Sequence, residues 1–233
     1  MDSKQPKKLS AKVFSSYSKF IKTKSRKYRF NAEQQPMDTN YILSLVTPFV
    51  TPTKTEWKAF TAKLKERHLR KDEVYLAEGD VCKQMALVTH GGLRMFYNIK
   101  GEELCKDFQF EGQFSGSIAS LVSQKPSKFS IAALEDTTMV EINGQDLFNL
   151  FDKYPVWGRF GRLYLTKSFM YKELREASLL CDSSTTRYEN LLREQPQHAQ
   201  RIPLKFLASY LGIKPESLSR IRRTLASRKG NRT

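Results

Sequence analysis

The stretch Arg201-Ile-Pro-Leu-Lys-Phe-Leu-Ala-Ser-Tyr-Leu-Gly-Ile-Lys-Pro-Glu-Ser-Leu-Ser-Arg-Ile-Arg-Arg223 decides how this chain is read. Leu204, Leu207, Ala208 and Leu211 recur at helical spacing and define one apolar face. Gly212 stands where a helix ends, because glycine adopts the left-handed closing conformation without steric cost. Ile213 follows as a plug for the turn, and Pro215 sits where a first-turn proline is tolerated. Leu218, Ile221 and Leu225 give the next helix its apolar side, and Glu216, Ser217, Ser219, Arg220 and Arg223 its polar side. Ala208 is small where the two helices must approach closely. Two short helices around a glycine turn, the second polar and basic, describe a helix-turn-helix. Arginine and glutamate on such a helix can read base edges in a major groove.

The charge distribution points the same way. The net charge is +16, and it is confined to the ends. Residues 1–36 carry ten Lys/Arg and two acids, and residues 201–233 carry nine and one, so each end is +8. Residues 37–200 hold 21 of each sign and are neutral. A basic excess gathered locally implies an anionic partner rather than general solubility. An acidic membrane surface is the alternative partner, and the helix-turn-helix pattern argues against it. Lys214, Arg228 and Lys229 join the polar face as expected backbone contacts, with Arg232 beyond them.

Upstream, Ser184–Arg193 reads as a helix capped near Thr185 and Thr186, followed by a loop, 194–200, carrying Pro196. Before that, Val156, Phe160, Leu163, Lys167, Met170, Leu174, Ala177 and Cys181 follow alternating steps of four and three in one long helix. That is a heptad seam, and a seam of this length predicts a homodimer. The alternative is that the stripe packs on the chain's own β-domain, and Lys167 interrupts it. Gln145–Tyr154 predicts a shorter helix, ended near Pro155.

Residues 69–143 change character. Val74–Leu76, Met85–Val88, Leu93–Ile99, Leu104–Phe110, Phe129–Leu134 and Thr138–Ile142 are short apolar runs separated by turn residues. Strands at such spacing predict an antiparallel sandwich or jelly roll, with a hairpin turn at Asn98–Glu102 using Gly101. Residues 39–67 read as helical, with an apolar face at Tyr41, Leu45 and Val46. A capping box at Thr53 and Glu56 starts a second helix there. Residues 1–36 read as a basic disordered arm, with a native start at Met37 or a cloning remnant as its origin; the functional reading is a DNA-tethering arm, and a short amphipathic helix near Ala11–Thr23 fits the spacing.

Residues 39–227 resemble the Crp/Fnr family of bacterial regulators. The residues that carry the resemblance are Glu78-Gly79-Asp80, Gly91-Gly92-Leu93-Arg94, Gly101-Glu102-Glu103, Phe114-Ser115-Gly116 and Leu211-Gly212-Ile213…Glu216-Ser217-Leu218-Ser219-Arg220. The resemblance implies an α+β chain in four parts. Residues 1–36 are an extension. Residues 37–154 form a cyclic-nucleotide-binding-type β-roll, a double-stranded β-helix or jelly-roll sensor domain. Residues 155–181 form a long dimerisation helix. Residues 182–233 form a winged-type helix-turn-helix whose wing is short or absent. It further implies a cytoplasmic transcription regulator bound to double-stranded DNA, with RNA polymerase and a small-molecule effector as further partners. Carried over, Glu216 and Arg220 contact bases and Ser217 contacts phosphate.

The effector pocket of that family falls on Gly116, Ser117, Ile118, Ala119, Ser127, Lys128, Phe129 and Ser130. There the sequence departs from the family's cyclic-nucleotide binders. Their glycine is followed by glutamate, for the ribose, where this chain has Ser117. Ser127 stands where their phosphate-binding arginine would be. A buried phosphate needs a cation, and only Lys125 and Lys128 are near, so cAMP binding is not expected.

No enzyme is expected. His68, His90 and His198 are scattered, and there is no GxSxG, P-loop or helical HxxxH. Cys82, Cys105 and Cys181 form no metal-ligand or CxxC spacing, so no metal or cofactor is expected and the thiols fit a reducing compartment. Neither a signal peptide nor an apolar run of membrane-spanning length is apparent, so no membrane is expected as a partner.

Overall fold

The computed structural model describes residues 37–230, with side chains as far as 227. The basic arm, its possible helix and Arg232 lie outside the described residues. Two helices come first, α1 (Thr39–Val46) and α2 (Lys54–Thr61). Asp38 caps α1, its carboxylate accepting from the Tyr41 N–H at 2.9 Å. The capping box read at α2 is present. Glu56 accepts from the Thr53 N–H at 2.7 Å, and Thr53 Oγ1 accepts from the Glu56 N–H at 3.3 Å.

Eight strands follow: β1 (Lys65–Leu69), β2 (Val74–Leu76), β3 (Gln84–His90), β4 (Gly92–Ile99), β5 (Glu102–Phe110), β6 (Phe114–Ser115), β7 (Ser130–Ala133) and β8 (Thr137–Asn143). The short helix α3 (Ile118–Ser123) lies between β6 and β7. The strands form two four-stranded sheets, ordered β1-β8-β3-β6 and β2-β7-β4-β5. All six apolar runs read from the sequence became strands. Ala86, Val88, Leu93, Ile131 and Met139 are at or near zero exposure and form the heart of the roll.

The helical reading of residues 65–67 is corrected. Lys65–Leu69 is an edge strand paired antiparallel with β8, Arg67 opposite Met139 and Leu69 opposite Thr137. Four of its five residues are exposed, so the strand lacks the apolar alternation that would have announced it. β6 is two residues long and carries no pattern at all. The predicted hairpin at 98–102 is present. Lys100 and Gly101 both have positive φ, 54° and 89°, and Asn98 Oδ1 accepts from the Gly101 N–H at 3.0 Å. Two central residues at positive φ match the twist of the flanking strands.

The rest is helical: α4 (Gly144–Lys153), α5 (Pro155–Cys181), α6 (Ser184–Glu194), α7 (Pro196–Arg201), α8 (Leu204–Tyr210) and α9 (Pro215–Gly230). The compact units of the chain are not consecutive in sequence. One contains residues 37–95 and 108–170, the other residues 96–107 and 171–230. In the first, the start of α5 is anchored by aromatic packing. Trp157 stacks on Phe60 at 4.5 Å, Phe160 meets Phe49 at 5.4 Å and Phe114 at 5.7 Å, and Tyr164 meets Phe114 at 4.9 Å. Aromatic clusters of this kind gain from quadrupole geometry as well as buried area.

In the second unit two local readings are corrected. The cap of α6 is Ser183, whose Oγ accepts from the Thr186 N–H at 3.1 Å, not Thr185 or Thr186. The expected loop 194–200 contains the helix α7, with Pro196 in its first turn. Proline has no N–H to lose there.

Candidate nucleic-acid interface and sensor roll

The helix-turn-helix is built by α8 and α9. The turn between them closes α8 in the double hydrogen-bonded form that glycine favours. Gly212 lies at φ +67°, its N–H donates to Ser209 O, and the Ile213 N–H donates to Ala208 O at 3.0 Å. Ala208, Leu207, Leu211 and Leu218 are buried between the helices. Phe206 and Tyr210, not singled out in the sequence, are buried with them. Pro215 is the first residue of α9.

The outer side of α9 carries the expected readers. Glu216, Ser219, Arg220 and Arg223 are exposed, Lys214 is exposed just before the helix, and Ser217 is half-buried. Residues 216, 220 and 223 are four and three apart, so they share one face. Arg228 and Lys229 fall within the same helix, which runs to Gly230. No strand follows α9 among the described residues.

The polar atoms at the end of α8 are held by residues that sequence reading did not find. Arg175 of α5 donates from Nη2 to Tyr210 O at 2.8 Å, and its guanidinium lies 3.5 Å from the centre of the Tyr210 ring. Arg187 of α6 donates from Nε to Leu211 O at 3.0 Å. Tyr171 and Tyr210 share a hydroxyl hydrogen bond of 2.8 Å. Burial holds both phenols above their ordinary range. Burial, and then Lys172, pulls the nearby Lys106 ammonium down to about 8, with Asp107 opposing. These partners are separated by 24 to 39 residues, beyond any helical or strand period.

The β-roll presents a different picture. Ser117 is 2% exposed and precedes α3; its N–H donates to Cys82 Sγ at 3.4 Å. Ser120 Oγ accepts from the Cys82 N–H at 2.9 Å. Ser127 is 3% exposed and its hydroxyl donates to Phe129 O at 2.8 Å. The backbone of Ser127 is bonded on both sides, to Asp80 O and from the Gly79 N–H. Ser130 Oγ accepts from the Glu78 N–H at 2.9 Å. Gly116 and Phe129 are buried, Ile118 half-buried and Ala119 exposed. Lys125 and Lys128 both point to solvent, so Lys128 does not replace the missing arginine inside the roll.

A second polar group gathers around Glu141 of β8, which is 6% exposed. Turned so that its amide nitrogen faces Glu141, Gln84 donates to both carboxylate oxygens, at 2.9 and 3.3 Å. Burial raises the Glu141 carboxyl, and Arg67 of the edge strand acts against this. Burial also raises the Tyr75 phenol, with the Glu141 charge adding to it. Arg94, 5% exposed, is paired with Asp72 at 3.0 Å and donates to Ala133 O at 2.7 Å.

The expected dimer seam is redistributed. Phe160 is spent in the aromatic cluster of its own chain, and Lys167 lies over the Phe49 ring at 5.2 Å. Val156 and Leu174 are half-buried, while Leu163, Met170 and Ala177 are exposed. The most exposed apolar residues of α5 are Phe169, at 62%, and Leu180, at 79%; Leu165 is also exposed. The heptad reading did not include these three, which lie beside its exposed members Leu163, Met170 and Ala177.

Among the described residues no group of His, Cys, Asp and Glu could hold a metal ion, and no helix is long and apolar enough to cross a membrane. Residues 66–154 match the cyclic nucleotide-binding domain family. No curated protein matches the chain. Among solved structures, FixK2 from Bradyrhizobium japonicum is 18% identical with a TM-score of 0.64, covering 71% of this chain and 86% of that one. The c-di-GMP-responsive regulator CLP from Xanthomonas campestris is 18% identical with a TM-score of 0.60, covering 76% and 93%. A CooA variant from Carboxydothermus hydrogenoformans is 13% identical with a TM-score of 0.60, covering 72% and 78%. At these identities the likeness is one of fold. Residues 66–154 are thus similar to a cyclic nucleotide-binding domain, and the chain shares the fold of these solved regulator structures.

Proposed function

We propose that this chain is a DNA-binding transcription regulator of the Crp/Fnr type, acting as a homodimer on an inverted-repeat site. The observation that carries this reading is the outer face of α9. Glu216, Ser219, Arg220 and Arg223 stand together in solvent on a helix whose other side is locked onto α8. Arginine can give two hydrogen bonds to guanine, and glutamate can accept one from cytosine. Ser217 and Lys214 sit at the start of the helix, where phosphate contacts are made, and Arg228 and Lys229 extend the basic run. A second copy supplies the second reading helix. The apolar residues left open on α5, Leu163, Leu165, Phe169, Met170, Leu179 and Leu180, need such a cover. Two-fold symmetry then places the reading helices one turn of DNA apart, about 34 Å.

The roll serves as a sensor-type domain that does not take cAMP, because the Ser127 hydroxyl is bonded within its own loop and the nearby lysines face outward. An unidentified small effector, and RNA polymerase, are the further partners of this reading. Selection of bound duplexes from a random library, followed by gel shift, tests it. An inverted repeat with half-sites one helical turn apart is the expected result. Failure to enrich any sequence, with co-sedimentation on anionic vesicles, would replace this reading by the membrane one.

A further inference from the structure

β5 is the last strand of its sheet, so among the described residues one of its edges has no strand partner. An open edge exposes N–H and C=O groups that a folded chain must cover. At residues 103–105 one serine side chain bonds this edge. Ser209 Oγ accepts from the Cys105 N–H at 2.8 Å and donates to Glu103 O at 3.3 Å. One hydroxyl thus imitates the paired donor and acceptor of a neighbouring strand. Ser209 lies in the last turn of α8, whose carbonyls would otherwise be orphaned. Tyr210 and Leu211 beside it are held by Tyr171, Arg175 and Arg187. The end of α8 is therefore fixed by the tip of a sensor hairpin, by the second half of the long helix and by α6. The turn at Gly212 and the buried Ala208, Leu211 and Leu218 pass that position on to α9.

We propose that Ser209, Tyr171 and Arg175 are positioning residues for DNA reading, which fix the pose of α9 from the β5 edge and the long helix without touching DNA. The proposal rests on the DNA-binding reading above. The direction of the effect follows from exposure. A contact that hid the reader would bury Glu216 or Arg220, and both are in solvent, as are Ser219 and Arg223. The arrangement therefore holds a competent pose, and loosening it lowers the fraction of molecules able to bind. The strands of this hairpin, β4 and β5, continue into the roll, so a change in the roll has a covalent path to the clamp.

The test uses the full chain with the duplex selected above and a random duplex of equal length. Ser209→Ala should bind the selected duplex about five-fold more weakly, the worth of roughly one net hydrogen bond. Binding to the random duplex, which depends on charge alone, should not change. Ser209→Thr keeps the hydroxyl and should keep wild-type binding. Tyr171→Phe, which loses only the bond to Tyr210, should show the same selective loss. Hydrogen exchange at the Cys105 amide should speed up in Ser209→Ala. Three results overturn the proposal: wild-type affinity in Ser209→Ala, equal loss on both duplexes, or unchanged exchange at Cys105. If the wild-type chain selects no duplex, the DNA reading falls and takes the proposal with it. If the wild type selects and Ser209→Ala matches it, only the positioning role falls.

Discussion

The loop of the roll from Gly116 to Ser130 and the helix α9 are both rich in small polar and basic residues, yet they use them in opposite ways. In the roll the hydroxyls of Ser120, Ser127 and Ser130 are turned inward and bonded to neighbouring backbone. Its lysines, 125 and 128, are left outside. On α9 the apolar residues are turned inward and the polar ones outward, with Glu216 and Arg220 in solvent. A buried polar group must be satisfied by the protein itself, because leaving it unpaired costs free energy. An exposed one is free to be satisfied by something else. The hydroxyls of Ser120, Ser127 and Ser130 are thus used in holding the loop together, while the polar face of the helix is in solvent.

The largest effect expected from breaking this contrast is on the other open surface, that of α5. Leu165→Glu with Phe169→Glu should halve the particle mass, from twice 27.0 kDa to 27.0 kDa by light scattering. Affinity for a two-half-site duplex should fall by about 100-fold or more, because the second contact is no longer intramolecular. A wild-type monomer at micromolar concentration would sink the dimer.

The next effect sharpens the contrast within α9. Arg220→Ala should cost about 1–3 kcal/mol on the selected duplex and relax preference at one base position per half-site. Arg222 is exposed but turned off the face shared by Glu216 and Arg220. Its alanine variant should leave base preference alone and at most reduce the salt slope, by about 0.9 for each phosphate it no longer neutralises. Equal losses on specific and random duplexes for Arg220→Ala would make it a phosphate contact only.

The roll should behave in the opposite sense. Ser127→Ala should leave DNA contacts untouched and lower stability by about 1–3 kcal/mol in denaturant unfolding, because Phe129 O loses its buried donor. Calorimetry should detect no cAMP binding, and Lys128→Ala should change nothing. Micromolar cAMP affinity that Lys128→Ala abolishes would mean the loop rearranges to take the nucleotide.

The smallest effect is the pH dependence at Glu141. Burial raises its carboxyl above the ordinary 4.5. The folded state therefore holds its proton more tightly than the unfolded chain. That contribution to stability is complete below the ordinary value and is lost as pH rises through the raised one. Glu141→Gln should remove this loss, so the stability difference between variant and wild type should grow in the variant's favour as pH rises from about 4. A difference independent of pH would show that Gln84 and Arg67 compensate the burial fully.

Much of the fold was legible in short periods. The six apolar runs became strands because each holds enough alternating or continuous apolar residues to fill one layer of a roll. Thr53 and Glu56, Asn98 to Gly101, and Gly212 to Pro215 announced their caps and turns because those structures are decided within four or five residues. The charged strand Lys65–Leu69 was not legible. Its pairing with β8 depends on a partner some 70 residues away, not on its own composition.

What the sequence by itself determined is therefore local: the helix-turn-helix pattern, the apolar runs of the roll and the basic ends. What only the tertiary structure decided is which of those groups are already engaged. Lys128 is adjacent in sequence to Ser127, yet it faces solvent. Phe160 fits the heptad, yet it is consumed by Phe49 and Phe114. Ser209 has no motif, yet it bridges to residues more than 100 positions away. Periodicity fixes which face of an element is apolar or polar, because that follows from backbone geometry alone. Which neighbour that face meets depends on contacts between distant segments, and no local spacing encodes them.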